Sequence, residues 1–155
     1  MAAAYGRLAA PIQFAAPARD LVALVKLRPG AVVLDIGTGT GLVAAAAQDA
    51  VGPSGRVIGI DGSREMLRAS AVNVAHTRIA GVVPHLPFRD NVADAVLAGF
   101  VVTHFDDYTS GLAEMVRTCH PRGRVGISAW GRLPAAAAQA CPAACAMAST
   151  SPRSR

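Results

Sequence analysis

Val33-Leu34-Asp35-Ile36-Gly37-Thr38-Gly39-Thr40-Gly41 places three glycines and a carboxylate where a buried strand turns into a helix. The apolar run 31–34 predicts a fully buried strand, and Leu42-Val43-Ala44-Ala45-Ala46-Ala47 downstream is strong helix-forming sequence, so the glycines occupy the β-to-α turn. Without Cβ atoms, the main chain there can touch a ligand directly.

The spacing narrows the ligand. A dinucleotide fingerprint reads G-x-G-x-x-G and aims a helix N-terminus at a pyrophosphate, whereas this chain reads G-x-G-x-G with Asp35 two residues before the first glycine. A carboxylate at that point repels a diphosphate and suits an ammonium group, while the amides opening the next helix suit a carboxylate. S-adenosylmethionine carries both groups on its methionine end.

A second feature lies at the distance this idea requires. Arg56-Val57-Ile58-Gly59-Ile60-Asp61 is a short β-branched run ending in an acid twenty residues past Gly41. In a βαβ nucleoside site such an acid hydrogen-bonds the ribose hydroxyls. Ser63 then reads as a helix N-cap, with Met66 and Leu67 on the inward face.

Four ordered motifs, VLDIGTGTG, VIGIDGSREML, LPFRDNVADAVLAGFVVTH and RTCHPRGRVGISAW, resemble the class I S-adenosylmethionine-dependent methyltransferases over residues 14–130. The resemblance is to the small-molecule branch that includes the ubiquinone and menaquinone biosynthesis enzymes and the type 11 enzymes. It implies a Rossmann-like, doubly wound α/β fold with a parallel sheet, S-adenosyl-L-methionine as cofactor, and in-line methyl transfer to a small-molecule acceptor held in a water-poor pocket. It also implies residue roles. The turn Asp35, Gly37, Thr38, Gly39 and Gly41 meets the methionine end; Asp61 and Gly62 meet the ribose; Met66, Val82 and Val83 form the adenine wall; and Gly99 and Phe100 border the sulfonium. In the same branch an Asp usually accepts from the adenine amino group where this chain has Val82. The family's Pro-Gly-Gly turn reads Pro121-Arg122-Gly123, putting a side chain where positive φ is expected. His104, at the C-terminal rim, is the candidate general base toward a hydroxyl acceptor, against the blander reading of a capping or packing histidine.

Composition excludes other classes. The net charge is +5, but Arg132, Arg153 and Arg155 sit in a final segment without acids, and no basic stripe interleaved with aromatics marks a nucleic-acid surface. No run reaches the roughly 18 apolar residues of a membrane span, and residues 1–7 lack the pattern of a signal peptide. Cys119, Cys141 and Cys145 are an odd number of cysteines and point to a reducing cytoplasm. Cys141 and Cys145 share a helical face but have no His or further Cys close in sequence, so no metal site is expected.

Along the chain, a lead-in helix is expected at 14–26, strands at 31–36, 56–61, 76–83, 93–99 and 125–130, and helices at 40–50, 63–73 and 108–119. Residues 1–131 thus read as one cofactor-binding domain of about five strands. The segment 132–155 has nine alanines and lacks β-branched alternation, so it reads as a disordered or weakly helical tail unable to supply the family's C-terminal antiparallel hairpin. On that reading the chain is a truncated copy, and its fifth strand is a bare edge prone to pair with a second copy. Two functional classes follow: a small-molecule methyltransferase impaired by the missing hairpin, or a non-catalytic protein that binds S-adenosylmethionine or S-adenosylhomocysteine and acts by association.

Overall fold

In the computed structural model, which describes residues 10–70, 77–130 and 145–150, the element order is α1 (Ala10–Val25), β1 (Val32–Ile36), α2 (Leu42–Val51), β2 (Arg56–Asp61), α3 (Arg64–Ala69), β3 (Thr77–Ala80), β4 (Ala93–Gly99), a single 3₁₀ turn (Val102–His104), α4 (Tyr108–Thr118), β5 (Cys119–Trp130) and β6 (Cys145–Thr150). The expected Rossmann-like parallel sheet is present. Its strand order is β3-β2-β1-β4-β5-β6, and every pairing between these strands is parallel.

Both faces of the sheet are covered, which is why its central strands read as near-continuous apolar runs rather than alternating ones. Alternate residues of β1 divide between two cores. Val33 packs with Leu21, Val25, Ala44, Ala47 and Leu97 under α1 and α2, whereas Leu34 and Ile36 pack with Val96, Leu112, Met115 and Ile127 under α4. The alanines of α2 leave little side-chain bulk between helix and sheet, and Ala44 and Ala47 are fully buried.

Helix ends follow local chemistry. Ser63 caps α3 by accepting the Met66 amide at 3.2 Å, and Asp107 caps α4 by accepting the Thr109 and Ser110 amides at 2.9 and 3.3 Å. Asp94 is structural, since its Oδ2 accepts the Val32 amide at 2.8 Å and ties β4 to the start of β1. The long β3-to-β4 return carries no helix among the described residues. It is anchored instead by Leu86, which is 6% exposed and whose amide donates to Glu114 Oε1 at 2.8 Å.

Three expectations need correction. β5 is not a bare edge: β6 pairs with it from Val125↔Cys145 to Trp130↔Thr150. Backbone amides and carbonyls left unpaired along a strand demand partners whatever the side chains are, so a segment without strand-like composition still completes the ladder. The edge on which self-association was expected is therefore occupied from within the chain, and the part of the 132–155 segment that is described, 145–150, is a strand rather than coil or helix. The rest of that segment, with Cys141, lies outside the described residues.

Residue 122 is the third correction. Neither Arg122 nor Gly123 has a positive φ. The strand instead carries a register shift, Ala93 pairing with Cys119 and Ala95 with Arg124, so residues 120–123 bulge out of the ladder. Gly123 is required there sterically, because a Cβ would lie 2.7 Å from the Asp94 carbonyl oxygen and 2.6 Å from Cys119 Sγ.

Candidate functional site

The strand order reverses between β1 and β4: the chain runs outward from β1 through β2 to β3, then returns to lay β4 on the other side of β1. In open parallel sheets the crevice at the carboxyl ends of such a strand pair binds ligands. A cavity of about 580 Å³ opens there. The turn residues Gly37, Thr38, Gly39 and Thr40 line it together with Asp61, Ser63 and Met66 on one side and Gly99, Phe100, Val101, Thr103 and His104 on the other. Phe14, Ala18, Leu42 and Val43 close it from α1 and α2.

The glycine turn is held by specific contacts. Gly37 (φ +65°) lies so close to β4's exit loop that a Cβ would fall 2.2 Å from Val101 Cγ2, and Gly39 and Gly41 also have positive φ. Gly41 is the N-cap of α2 and supplies no side chain to the first-turn amides. The Gly39 amide donates to Asp61 Oδ2 at 2.8 Å, and the Ser63 amide donates to Asp61 Oδ1 at 2.8 Å. Each carboxylate oxygen thus spends one acceptor position on the backbone and retains another.

Asp35 lies beneath the turn rather than on the cavity wall, 1% exposed. Its Oδ2 accepts the Thr38 hydroxyl at 2.7 Å, while its Oδ1 is buried without a hydrogen-bond partner. Burial pushes this carboxyl up from 3.8 to about 7, with the Asp61 charge adding to the effect and the Thr38 hydroxyl and Ala44 amide opposing it. An unpaired carboxylate oxygen in an apolar surround favours a nearby positive charge.

Of the residues singled out in the sequence, Gly37, Thr38, Gly39, Asp61, Met66, Gly99, Phe100 and His104 meet around one cavity. Asp35 and Gly41 support it from below and behind. Gly62, Val82 and Val83 do not line it; Gly62 and Val82 lie side by side, where a Cβ on Gly62 would be 2.7 Å from Val82 Cγ1. Val82 itself is 58% exposed, and Val83 packs partly into the core under α4.

Phe14, Leu42, Val43, Ser63, Val101 and Thr103 were not anticipated as lining residues. Phe14 reaches the site because α1 crosses the sheet; its ring meets Phe100 edge to face with centroids 5.1 Å apart. Phe100 holds a positive φ of 59°, and its amide donates to the Ser128 carbonyl at 2.9 Å. Only the position of Phe14 inside an amphipathic lead-in helix hinted at this. Among the described residues no group of His, Cys, Asp or Glu is placed to hold a metal, and no helix is long and apolar enough to cross a membrane.

A methyltransferase-domain family model matches residues 34–127, the span from β1 to β5 that builds this site. The chain belongs to the type 11 methyltransferase domain family. S-adenosyl-L-methionine is the cofactor of that family. Among curated members, the demethylmenaquinone methyltransferase of Anoxybacillus flavithermus is 36% identical over 113 residues, covering 69% of this chain and 48% of that protein. The nocamycin O-methyltransferase of Saccharothrix syringae is 36% identical over 124 residues, covering 76% and 44%. The chain thus spans about half the length of the curated relatives it matches. Among solved structures, the YcgJ protein of Bacillus subtilis superposes with a TM-score of 0.65 at 26% identity, over 72% of this chain and 50% of that one. A methyltransferase from Aquifex aeolicus shares the fold with a TM-score of 0.61 at 24% identity, over 71% and 62%.

Proposed function

We propose that this methyltransferase domain binds S-adenosyl-L-methionine at the β1/β4 switch point and transfers its methyl group to a small-molecule acceptor. The observation that carries the reading is Asp61: both carboxylate oxygens are fixed by backbone amides at the mouth of a cavity that the glycine turn also lines. The residues present fit the cofactor. Asp61 keeps acceptor capacity for two ribose hydroxyls. The partnerless Asp35 Oδ1 supplies negative potential under the turn where an ammonium group would sit, and a cavity of about 580 Å³ is of ligand size.

In this reading Gly37, Thr38, Gly39 and Gly41, above Asp35, would hold the methionine end. Asp61 and Gly62 would hold the ribose, Met66, Val82 and Val83 the adenine, and Gly99 and Phe100 would border the sulfonium. The cofactor supplies an already activated methyl group, so the chain's own task is to orient the acceptor and keep water out. Phe14 and Phe100, in edge-to-face contact where they line the cavity, would help to keep water out. His104, which lines the cavity and is exposed, would be the candidate to take a proton from a hydroxyl acceptor. The small-molecule reading is supported by relatives whose names specify demethylmenaquinone and nocamycin. A cytoplasmic location fits the free, buried thiol of Cys119.

Calorimetric titration with S-adenosylmethionine and S-adenosylhomocysteine tests the proposal. Saturable one-to-one binding that is at least tenfold weaker in Asp61→Ala is expected, and the absence of binding at millimolar ligand overturns it. Transfer of labelled methyl to a panel of quinols, phenols and thiols then separates an enzyme from a protein that binds the cofactor without turnover.

A further inference from the structure

A second concave site lies at the other end of the sheet, roughly one strand length (~17 Å) from the glycine turn. It is a cavity of about 400 Å³ between the end of α1 and the starts of β1, β4 and β5. Its polar lining is almost wholly of one sign: Lys26, Arg28, Arg122 and Arg124 with His120, against the single carboxylate of Asp94. Four cations and one anion leave this concavity a net charge of +3 with the histidine neutral.

Among the described residues, no carboxylate forms an ion pair with these cations. The ion pairs among the described residues are those of Arg117, at the end of α4, with Asp90 and Glu114, and Asp94 Oδ2 already accepts the Val32 amide. Several donors are also fixed in place. The Arg124 guanidinium donates through Nη1 to the Val25 carbonyl at 2.6 Å, which anchors the fork and leaves its other N–H groups available. The Arg122 amide donates to His120 Nδ1 at 3.3 Å, which puts the ring proton on Nε2 and makes that nitrogen a donor.

Two backbone irregularities hold the basic residues at the site. The bulge of residues 120–123, possible only with Gly123 packed against Asp94, lifts His120 and Arg122 out of the β5 ladder. Lys26 terminates α1 at φ +53°, a left-handed position more usually filled by glycine or asparagine. Part of the basic character serves α1, whose C-terminal carbonyls favour cations. One arginine on the Val25 carbonyl meets that need, and three further cations and a histidine exceed it.

We propose that this cleft binds a multivalent phosphate-bearing small anion, with diphosphate as the simplest matching group. Forked guanidinium groups match phosphate oxygens in geometry as well as charge. A charge of +3 spread over about 400 Å³ suits a diphosphate better than a monovalent carboxylate. The site is separate from the cofactor cavity and does not depend on methyl transfer.

Calorimetric titration of the full chain with inorganic pyrophosphate at fixed ionic strength, with and without saturating S-adenosylhomocysteine, tests this. One-to-one binding unaffected by S-adenosylhomocysteine is expected, at least tenfold weaker in the double variant Arg28→Gln/Arg122→Gln. The far-ultraviolet circular dichroism of that variant verifies its fold, and the milder Arg122→Lys should retain an intermediate affinity. No binding at millimolar pyrophosphate, equal binding by the double variant, or competition with S-adenosylhomocysteine each overturns the proposal. So does micromolar binding of a short oligonucleotide without binding of pyrophosphate, which would instead make the cleft a nucleic-acid surface.

Discussion

The Gly39 amide donates to Asp61 Oδ2 at 2.8 Å across 22 residues of sequence. This bond joins the turn after β1 to the end of β2, so one carboxylate both shapes the glycine turn and faces the cavity. Loss of that carboxylate should therefore cost stability and affinity together.

Asp61→Ala leaves the Gly39 and Ser63 amides without their acceptor, at about 1–3 kcal/mol for a partly buried donor. We expect a lower midpoint in thermal unfolding and at least a tenfold loss of S-adenosylhomocysteine affinity by calorimetry. Asp61→Asn, which keeps one carbonyl oxygen, should fall between. Unchanged affinity in Asp61→Ala would remove this residue from the cofactor site.

Asp35 gives a pH dependence with a defined sign. Its carboxyl is raised in the folded chain from 3.8 to about 7, chiefly by burial, so between these values the folded state holds a proton that the unfolded state has released. Stability from this group is fully present below about pH 4 and is lost as pH rises toward 7, by at most about 4 kcal/mol. Denaturant unfolding at a series of pH values should show Asp35→Asn gaining on the parent chain from pH 4 to 7 and holding its lead above that. A constant difference across the series would contradict the buried, partnerless carboxylate.

The same group should couple to the ligand in the opposite sense. A cationic cofactor favours ionised Asp35, so affinity for S-adenosylmethionine should rise from pH 6 to 8, with proton release on binding near pH 6.5. Titrations in buffers of different ionisation enthalpy measure that release directly, and Asp35→Asn should abolish it.

Gly37 and Gly39 both have positive φ but differ in the space around them. A methyl at Gly37 would fall 2.2 Å from Val101, whereas at Gly39 its nearest neighbour is 3.8 Å away. Gly39→Ala should cost about 1 kcal/mol of backbone strain, and Gly37→Ala should add the 1–3 kcal/mol of an overpacked contact. Chemical denaturation of the two variants side by side tests the ranking.

Glu114 holds the β3-to-β4 return against α4. Oε1 accepts the Leu86 amide at 2.8 Å and the Arg117 Nη2 at 2.7 Å, and Arg117 Nη1 reaches the Phe88 carbonyl at 2.9 Å. Hydrogen bonds from the Arg117 guanidinium hold the Glu114 carboxyl below its usual range. Glu114→Ala should cost about 1–2 kcal/mol and speed hydrogen exchange at Leu86 and Phe88, with exchange in β1 unaltered.

Much of this site was legible in the sequence because its signals are local. Asp35, the three glycines of the turn and Asp61 were readable from spacing along single elements, and Ser63 caps the helix its side-chain chemistry implies. Phe14 and Val101 were not readable as lining residues, since each reaches the cavity through a contact between elements distant in the chain. Arg122 was misjudged for a related reason. A family turn expected to need positive φ is replaced by a bulge whose existence depends on β5 pairing with β4.

The sequence by itself determined the order of strands and helices from α1 to β5, the character of the turn after β1 and the family to which the chain belongs, because apolar periodicity, glycine and capping residues act over a few neighbours. Only the tertiary structure decided that β4 lies beside β1, that Val101 closes over Gly37, that Asp35 is buried with one oxygen unpaired, and that β6 covers β5. These depend on which distant segments bury each other's surface and satisfy each other's backbone groups, and that free energy belongs to pairs of elements rather than to any one stretch of chain.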